Sequence, residues 1–435
     1  INGIKDLINS NSYKTYKTKD GKTVKNKTPS EVAKEWGISL GNNLLINGIL
    51  LSQPQLMFSE DQTIIPKNGR FQSGGIKRPV TLDENNFIYI YDSRDNSNIK
   101  NLLKLLIDKA RYKGILIKVN IDKINGIKLK DYRHWDDICH YLDIIKKKSN
   151  DIKIAIVFLT PHLEEFYSKL KDYFTNEVKF ATQFVVSKKL QDPKRAGSIL
   201  FNIVEQINIK MGGTNFNIDF FKERILNKEK IYMIIGLESH FFNKKIDYVM
   251  TSTFSRNLEK VITSICSVND INEEKEKAIE HLINLSLKKL QEAGSPRPPD
   301  YIIVYRQGGN SVHNKSIKEK ELPIFKKALN GKYKKCNPKL VFICCNLRGK
   351  LKFFENNNGI FENPKSGICV DSGVISDKKE FYLQPQFANQ GTATPSHYQI
   401  LNDDYDKEDF TFRLWRIGKR IRYCSKAIGT ICSCL

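Results

Sequence analysis

Four polar side chains stand at spacings that suit the capture of a phosphate. Tyr167 and Lys171 are four residues apart, which puts them on one face of a helix. Gln183 lies in Ala181-Thr182-Gln183-Phe184-Val185. Lys210 ends Gln206-Ile207-Asn208-Ile209-Lys210, just ahead of Met211-Gly212-Gly213-Thr214-Asn215. A terminal phosphate is close to doubly charged and needs several donors. Two lysines supply point charges, a glutamine supplies an amide N–H, and a tyrosine supplies a hydroxyl and a ring face on which a base stacks. Each also has a plainer reading: a Tyr/Lys pair on a helix is commonly a solvated face, and a strand glutamine commonly polar filler. Spacing alone favours the plainer reading.

The surrounding text predicts the elements that must position these residues. Apolar runs alternate with helix-length segments: Phe87–Tyr91 then Ile99–Ala110, Ile115–Val119 then Trp135–Ile145, Ile152–Leu159 then Leu163–Tyr173, and Phe180–Val186 then Ile199–Lys210. This alternation predicts a parallel α/β sheet, whose ligands usually bind past the carboxyl ends of the strands. From Ile231 the order changes. Ile231–Ile235, Asp247–Phe254 and Glu259–Cys266 read as successive strands, Glu273–Gln291 as a helix, Tyr301–Tyr305 as a buried strand, Ile324–Leu329 as a helix and Leu340–Cys345 as a strand. Three strands, helix, strand, helix, strand is the order of an RNase H-like fold. Upstream, residues 1–80 are polar and Lys-rich apart from Leu44–Leu51, and Gly69–Lys77 reads as a linker or turn.

Composition narrows the partners. The chain has 435 residues, room for two or three domains, and is 40% apolar, so it is globular rather than disordered. Its formal charge is +23, a field that suits nucleic acid. Part of that charge is compositional bias, since Lys and Asn also crowd stretches such as Lys315–Lys320 and Asn356–Asn358. There is no secretory signal and no apolar run long enough to span a bilayer, which predicts an intracellular protein, cytoplasmic or nuclear, with no membrane partner. The nine cysteines are irregularly spaced. Cys344-Cys345 and Cys432-Ser433-Cys434 lack a second pair to complete a zinc site, so core thiols in a reducing compartment are expected. The chain starts at Ile1 rather than Met, as a fragment would.

Longer motifs tie these pieces together. Tyr167-x-x-x-Lys171, Ala181-Thr182-Gln183 and Gln206-Ile207-Asn208-Ile209-Lys210-Met211-Gly212-Gly213 resemble the MID motifs of Argonaute/Piwi proteins. Ile302-Ile303-Val304-Tyr305-Arg306-Gln307-Gly308-Gly309 and Gln390-Gly391-Thr392-Ala393-Thr394-Pro395-Ser396-His397-Tyr398 resemble their PIWI motifs. The resemblance runs over about residues 80–420 and is closer to the Piwi clade; many Argonaute-clade members carry a Lys where Gln206 stands. It implies an end-of-linker region over 1–80, a Rossmann-like MID domain over 81–212 and an RNase H-like PIWI domain over 213–435. It also implies that Tyr167, Lys171, Gln183 and Lys210 grip the 5′ phosphate of a small guide RNA. Complementary target RNA and silencing partner proteins are the further partners implied.

The same resemblance places the family's cutting positions at Glu238, Glu274 (with Glu273 and Glu276 as alternates) and Gln307. Two-metal cleavage needs carboxylates around Mg²⁺. Family cutters have Asp where Glu238 and Gln307 stand. Glu238 moves its carboxylate out by a methylene, and Gln307 removes a full negative charge from between two dications. The family's fourth member, a His or Asp near the carboxyl terminus, is missing: the last histidine is His397, and Cys424–Leu435 lacks the usual closing motif. The expectation is a guide-RNA-binding protein that does not cut, with Mg²⁺ conceivable at the guide phosphate or at the degenerate site. The alternative is an active guide-directed endoribonuclease with an atypical metal site, using a carboxylate from elsewhere such as Asp371.

Overall fold

The computed structural model describes residues 15–17, 23–25, 27–37, 44–59, 62–67, 71, 74–83, 85–117, 126–147, 152–218, 226–255, 258–269, 272–295, 297–332, 338–347, 349, 351–376, 379–385, 387–388 and 390–404. The closing segment Cys424–Leu435 and part of Gly69–Lys77 lie outside the described residues. The chain divides into two compact units, 1–47 and 48–435. In the first, Thr15–Lys17 pairs antiparallel with Thr23–Lys25. Its helix Pro29–Glu35 begins with a capping box: Thr28 Oγ1 accepts from Glu31 N, and Glu31 Oε2 accepts from Thr28 N at 2.8 Å.

The second unit holds two large sheets beside smaller two- and three-stranded ladders. The first is built from β1 Phe87–Asp92, α1 Asn96–Tyr112, β2 Gly126–Leu129, α2 Trp135–Lys147, β3 Ile154–Leu159, α3 Tyr167–Asp172, β4 Ala181–Val186 and α4 Pro193–Lys210. Its strands run parallel in the order β4-β3-β1-β2. β3 reads Ile-Ala-Ile-Val-Phe-Leu and is buried throughout, as a strand covered on both faces must be. α1 and α4 pack on one face with Phe87, Ile156 and Val185, while Ile138, Leu142, Leu170 and Phe174 cover the other.

The predicted strand Ile115–Val119 does not join this sheet. Leu116–Ile117 pairs with Thr81–Leu82 in a separate two-stranded ladder, and β2 takes the expected place beside β1. β2 reads Gly-Ile-Lys-Leu, with only Leu129 buried, so no apolar run announces it. Its glycine is required by packing: a Cβ at Gly126 would lie 2.4 Å from the Tyr89 ring.

The second sheet follows: β5 Tyr232–Phe242, β6 Lys245–Thr253, β7 Val261–Asn269, α5 Asn272–Glu292, β8 Tyr301–Gln307, α6 Ser311–Ser316, α7 Leu322–Lys332, β9 Lys339–Asn346, β10 Ile368–Val370, β11 Glu380–Leu383 and β12 Ser396–Asp403. Among the described residues the order is β7-β6-β5-β8-β9-β12-β11-β10, closed by Ile49–Leu50. β5 is antiparallel to β6 and parallel to β8, and β8 is parallel to β9. This is the expected RNase H-like arrangement, extended by four further strands. Side chains alternate across it. Ile303 and Tyr305 enter one core with Val341 and Ile343, while Ile302 and Val304 enter another beneath α5 and α7.

Candidate functional site

Tyr167, Lys171, Gln183 and Lys210 come together at β4, the edge strand of the first sheet. The expected place was past the carboxyl ends of the strands. The four residues instead line the side of the sheet, because the flanking elements bring two cations to β4, an edge strand among the described residues, from opposite faces. Thr182 and Phe184 face α3. Lys171 Nζ donates to Thr182 Oγ1 at 3.2 Å and lies 5.5 Å from the centre of the Phe184 ring. Tyr167, one helical turn earlier, meets the same ring edge-on at 4.8 Å between centroids. Gln183 faces α4. Its Oε1 accepts from Lys210 Nζ at 2.8 Å, and Lys210 also donates to the Thr182 carbonyl at 2.6 Å.

Helix α4 delivers Lys210 because both of its ends are specified. Asp192 caps the start, its Oδ1 accepting from Lys194 N at 3.0 Å, and Pro193 occupies the first turn. The helix stops at Met211, and Gly212 takes φ +86°, the left-handed position that favours glycine. Asn208, fully buried, anchors the last turn. Its Oδ1 accepts from Val80 N at 2.9 Å and its Nδ2 donates to Asn215 Oδ1 at 2.9 Å. Gly213 lies against it, where a Cβ would fall 2.3 Å from Asn208 Oδ1.

The electrostatics are those of a site short of an anion. Burial, and then the neighbouring Lys171, push the Lys210 ammonium down to about 8. Burial also lowers Lys171. Among the described residues neither ammonium has a carboxylate partner; their acceptors are the Thr182 hydroxyl, the Thr182 carbonyl and the Gln183 amide oxygen. Two like charges held this close repel, and partial desolvation adds to the cost, as the lowered values reflect. Gln183 Nε2 donates to Gln206 Oε1 and to the Phe184 carbonyl, both at 3.1 Å. Gln206 therefore fixes the orientation of Gln183. Thr182, Phe184 and Asn208 were missed as site residues, because their roles arise only when β4 is set between two helices.

Glu238 and Gln307 share a face of the second sheet. Leu237 is in register with Arg306 on the neighbouring strand, so alternation sends Leu237 and Arg306 one way and Glu238 and Gln307 the other. Both are half-buried. Glu274 stands in the first turn of α5, where its carboxylate accepts from Asn269 N at 2.8 Å and from Asn269 Nδ2 at 3.3 Å, closing the β7–α5 turn. Asp371 follows β10, four strands from β8 in the sheet order. Among the described residues no three His, Cys, Asp or Glu side chains stand close enough to hold a metal ion. The Glu238 carboxylate and the Gln307 amide by themselves do not make the donor set that paired dications require.

The turn after Gln307 is tightly built. Arg306 is 2% exposed and forks onto Glu321 at 2.8 and 2.9 Å, with further bonds to Ser239 Oγ and the Gln307 carbonyl. Gly308 N donates to the Cys345 carbonyl and Gly309 N to Asn314 Oδ1. Asn314 Nδ2 reaches Gln399 Oε1 at 2.8 Å. The two PIWI-like phrases are thus physically joined, β8 to β12, through Asn314 and Gln399. His397 stacks on Tyr382 at 4.5 Å and packs beside Glu380.

A family model described as the Piwi domain matches residues 154–412. Piwi-like protein 1 of Gallus gallus is 23% identical over 391 residues, covering 85% of this chain and 42% of that protein. The fold is similar to the crystal structure of Drosophila Piwi, with a TM-score of 0.75 at 20% identity over 92% of this chain and 53% of that one. It is also similar to Kluyveromyces polysporus Argonaute with a guide RNA, with a TM-score of 0.69 at 16% identity over 88% and 50% of the two chains. The chain therefore spans about half the length of the relatives it matches. No described helix is long and apolar enough to cross a membrane.

Proposed function

This chain belongs to the Argonaute/Piwi family, and we propose on that premise that it holds the 5′ phosphate of a small guide RNA and presents the guide to complementary RNA without cutting it. The observation that carries this reading is the pair of ammonium groups, Lys171 and Lys210, drawn to one strand edge with only neutral acceptors around them. A terminal phosphate supplies the missing charge. The ammonium groups shift from the Thr182 and Gln183 oxygens to phosphate oxygens, Gln183 turns its amide N–H toward them, and the Tyr167 ring stacks on the first base. A Mg²⁺ at this phosphate would take its oxygen ligands from the RNA, because the pocket's own side chains are cations and neutral groups. Silencing then runs through partner proteins rather than through hydrolysis. The unmatched donor set at Glu238 and Gln307 motivates the second half of the proposal.

One experiment tests both halves. The chain is loaded with 5′-phosphorylated small RNA, and a complementary labelled RNA is added with Mg²⁺. Tight guide and target binding with an intact target supports the proposal. A single cut at a fixed distance from the guide 5′ end makes the chain an endoribonuclease, and its loss in Glu238→Ala would then assign Glu238 as a metal ligand.

A further inference from the structure

The second sheet terminates in β7, and the outer edge of this strand is open among the described residues. β7 pairs with β6 through nine consecutive register positions, Val261 with Thr253 to Asn269 with Lys245, with no bulge. Exposed edges of this kind are ordinarily blunted by a lysine, a proline, a bulge or a covering element. β7 reads Val-Ile-Thr-Ser-Ile-Cys-Ser-Val-Asn and carries neither charge nor proline, in a chain that is 27% charged. Helix α5 covers one face, where Cys266 and Val268 pack. The other face presents Thr263, Ile265, Ser267 and Asn269, all exposed, and Ile265 is 67% exposed.

The strand is close to symmetric about its own midpoint. Counting outward from Ile265, Ser264 mirrors Cys266, Thr263 mirrors Ser267, and Ile262 mirrors Val268. Only the outermost pair, Val261 and Asn269, differs in character. Laid antiparallel against itself, the strand places hydroxyl opposite hydroxyl or thiol and apolar opposite apolar, with Ile265 opposite its own copy. Such cross-strand pairs are favourable, and no like charges meet despite the net charge of +23. Nine residues at about 3.4 Å each give an edge roughly 30 Å long. It offers roughly eight main-chain hydrogen bonds, the Asn269 N–H being already given to the Glu274 carboxylate, and that is within the range a typical interface carries.

We propose that β7 is a self-association edge: a second copy of this chain pairs with it antiparallel, about a two-fold axis through Ile265, and the two sheets become one. The contact is isologous and closes at two copies.

Light scattering on the 435-residue chain, with three variants, tests this. The wild type is expected to run at twice its 50.2 kDa mass. Ile265→Lys, which sets like charges face to face on the axis, is expected to run as a monomer with an unchanged circular dichroism spectrum. Ser264→Cys places a thiol opposite the other copy's Cys266, within the Cα spacing a disulfide spans. It is expected to form a covalent dimer on mild oxidation, whereas the wild type and Ser264→Cys/Cys266→Ser do not. A wild type that stays monomeric at the highest attainable concentration overturns the proposal. So does an Ile265→Lys variant that still dimerises, or a Ser264→Cys variant that fails to cross-link.

Discussion

The Lys210 ammonium donates to Gln183 Oε1 at 2.8 Å, joining the last residue of one helix to the middle of an edge strand. The two are 27 residues apart in sequence. The bond satisfies Lys210 without neutralising it, so the site keeps the positive charge of Lys210 beside that of the half-buried Lys171. Binding and pH dependence both follow from this arrangement.

Burial holds Lys210 at about 8 in the folded chain, below its ordinary 10.5. Between those values the unfolded chain binds more protons than the folded one, so the ligand-free protein gains stability as pH rises from about 8. A bound phosphate favours the protonated amine and opposes that trend. The preference for 5′-phosphorylated over 5′-hydroxyl RNA is therefore expected to be full below pH 8 and to weaken above it, by up to about tenfold per pH unit. Fluorescence anisotropy at constant ionic strength reads this directly. Lys210→Arg, whose guanidinium stays charged, is expected to remove the loss.

Asn208 does not touch the pocket side chains, yet it fixes the turn that carries Lys210. Asn208→Ala leaves Val80 N without its acceptor at a partly buried position and is expected to cost about 1–3 kcal/mol of stability. It is also expected to weaken the 5′-phosphate preference while Lys210 itself is intact. Urea unfolding and RNA binding on the same preparation separate these effects; a stable variant with normal preference would remove Asn208 from the account.

Arg306 is among the largest fully buried side chains of the described residues, and Glu321 is its counter-charge. Glu321→Ala leaves the guanidinium uncompensated and is expected to cost about 3–5 kcal/mol in urea unfolding. Replacing both with apolar residues, Arg306→Met with Glu321→Leu, is expected to restore most of that loss. A single variant as stable as the wild type would show that water reaches Arg306.

The long apolar strands were legible because burial on both faces writes continuous apolar runs, as in Ile154–Leu159 and Ile302–Tyr305. β2 was not, because four residues that include Gly and Lys carry no such run and are held by packing against Tyr89. β10, with three residues, and Ile49–Leu50 are too short to announce themselves. Of the pocket, the Tyr167/Lys171 pair was legible as a helix face, but the meeting of that face with Lys210 depends on which strand lies at the edge of the sheet. No local signal marks Thr182 or Phe184, since threonine and phenylalanine are ordinary strand residues. Glu274 was read through resemblance; its bonds to Asn269 reflect a turn geometry that spacing does not encode.

The most direct test of the central claim compares 5′-phosphorylated and 5′-hydroxyl forms of one small RNA, bound to the chain and to its Lys171→Ala/Gln183→Ala variant. The pocket predicts that the chain prefers the phosphorylated form by roughly ten- to a hundredfold, the worth of one or two charge-assisted hydrogen bonds. The variant is predicted to bind both forms alike, at the level set by contacts along the rest of the RNA. Equal binding of both forms by the unaltered chain, or an undiminished preference in the variant, would contradict the assignment of this pocket.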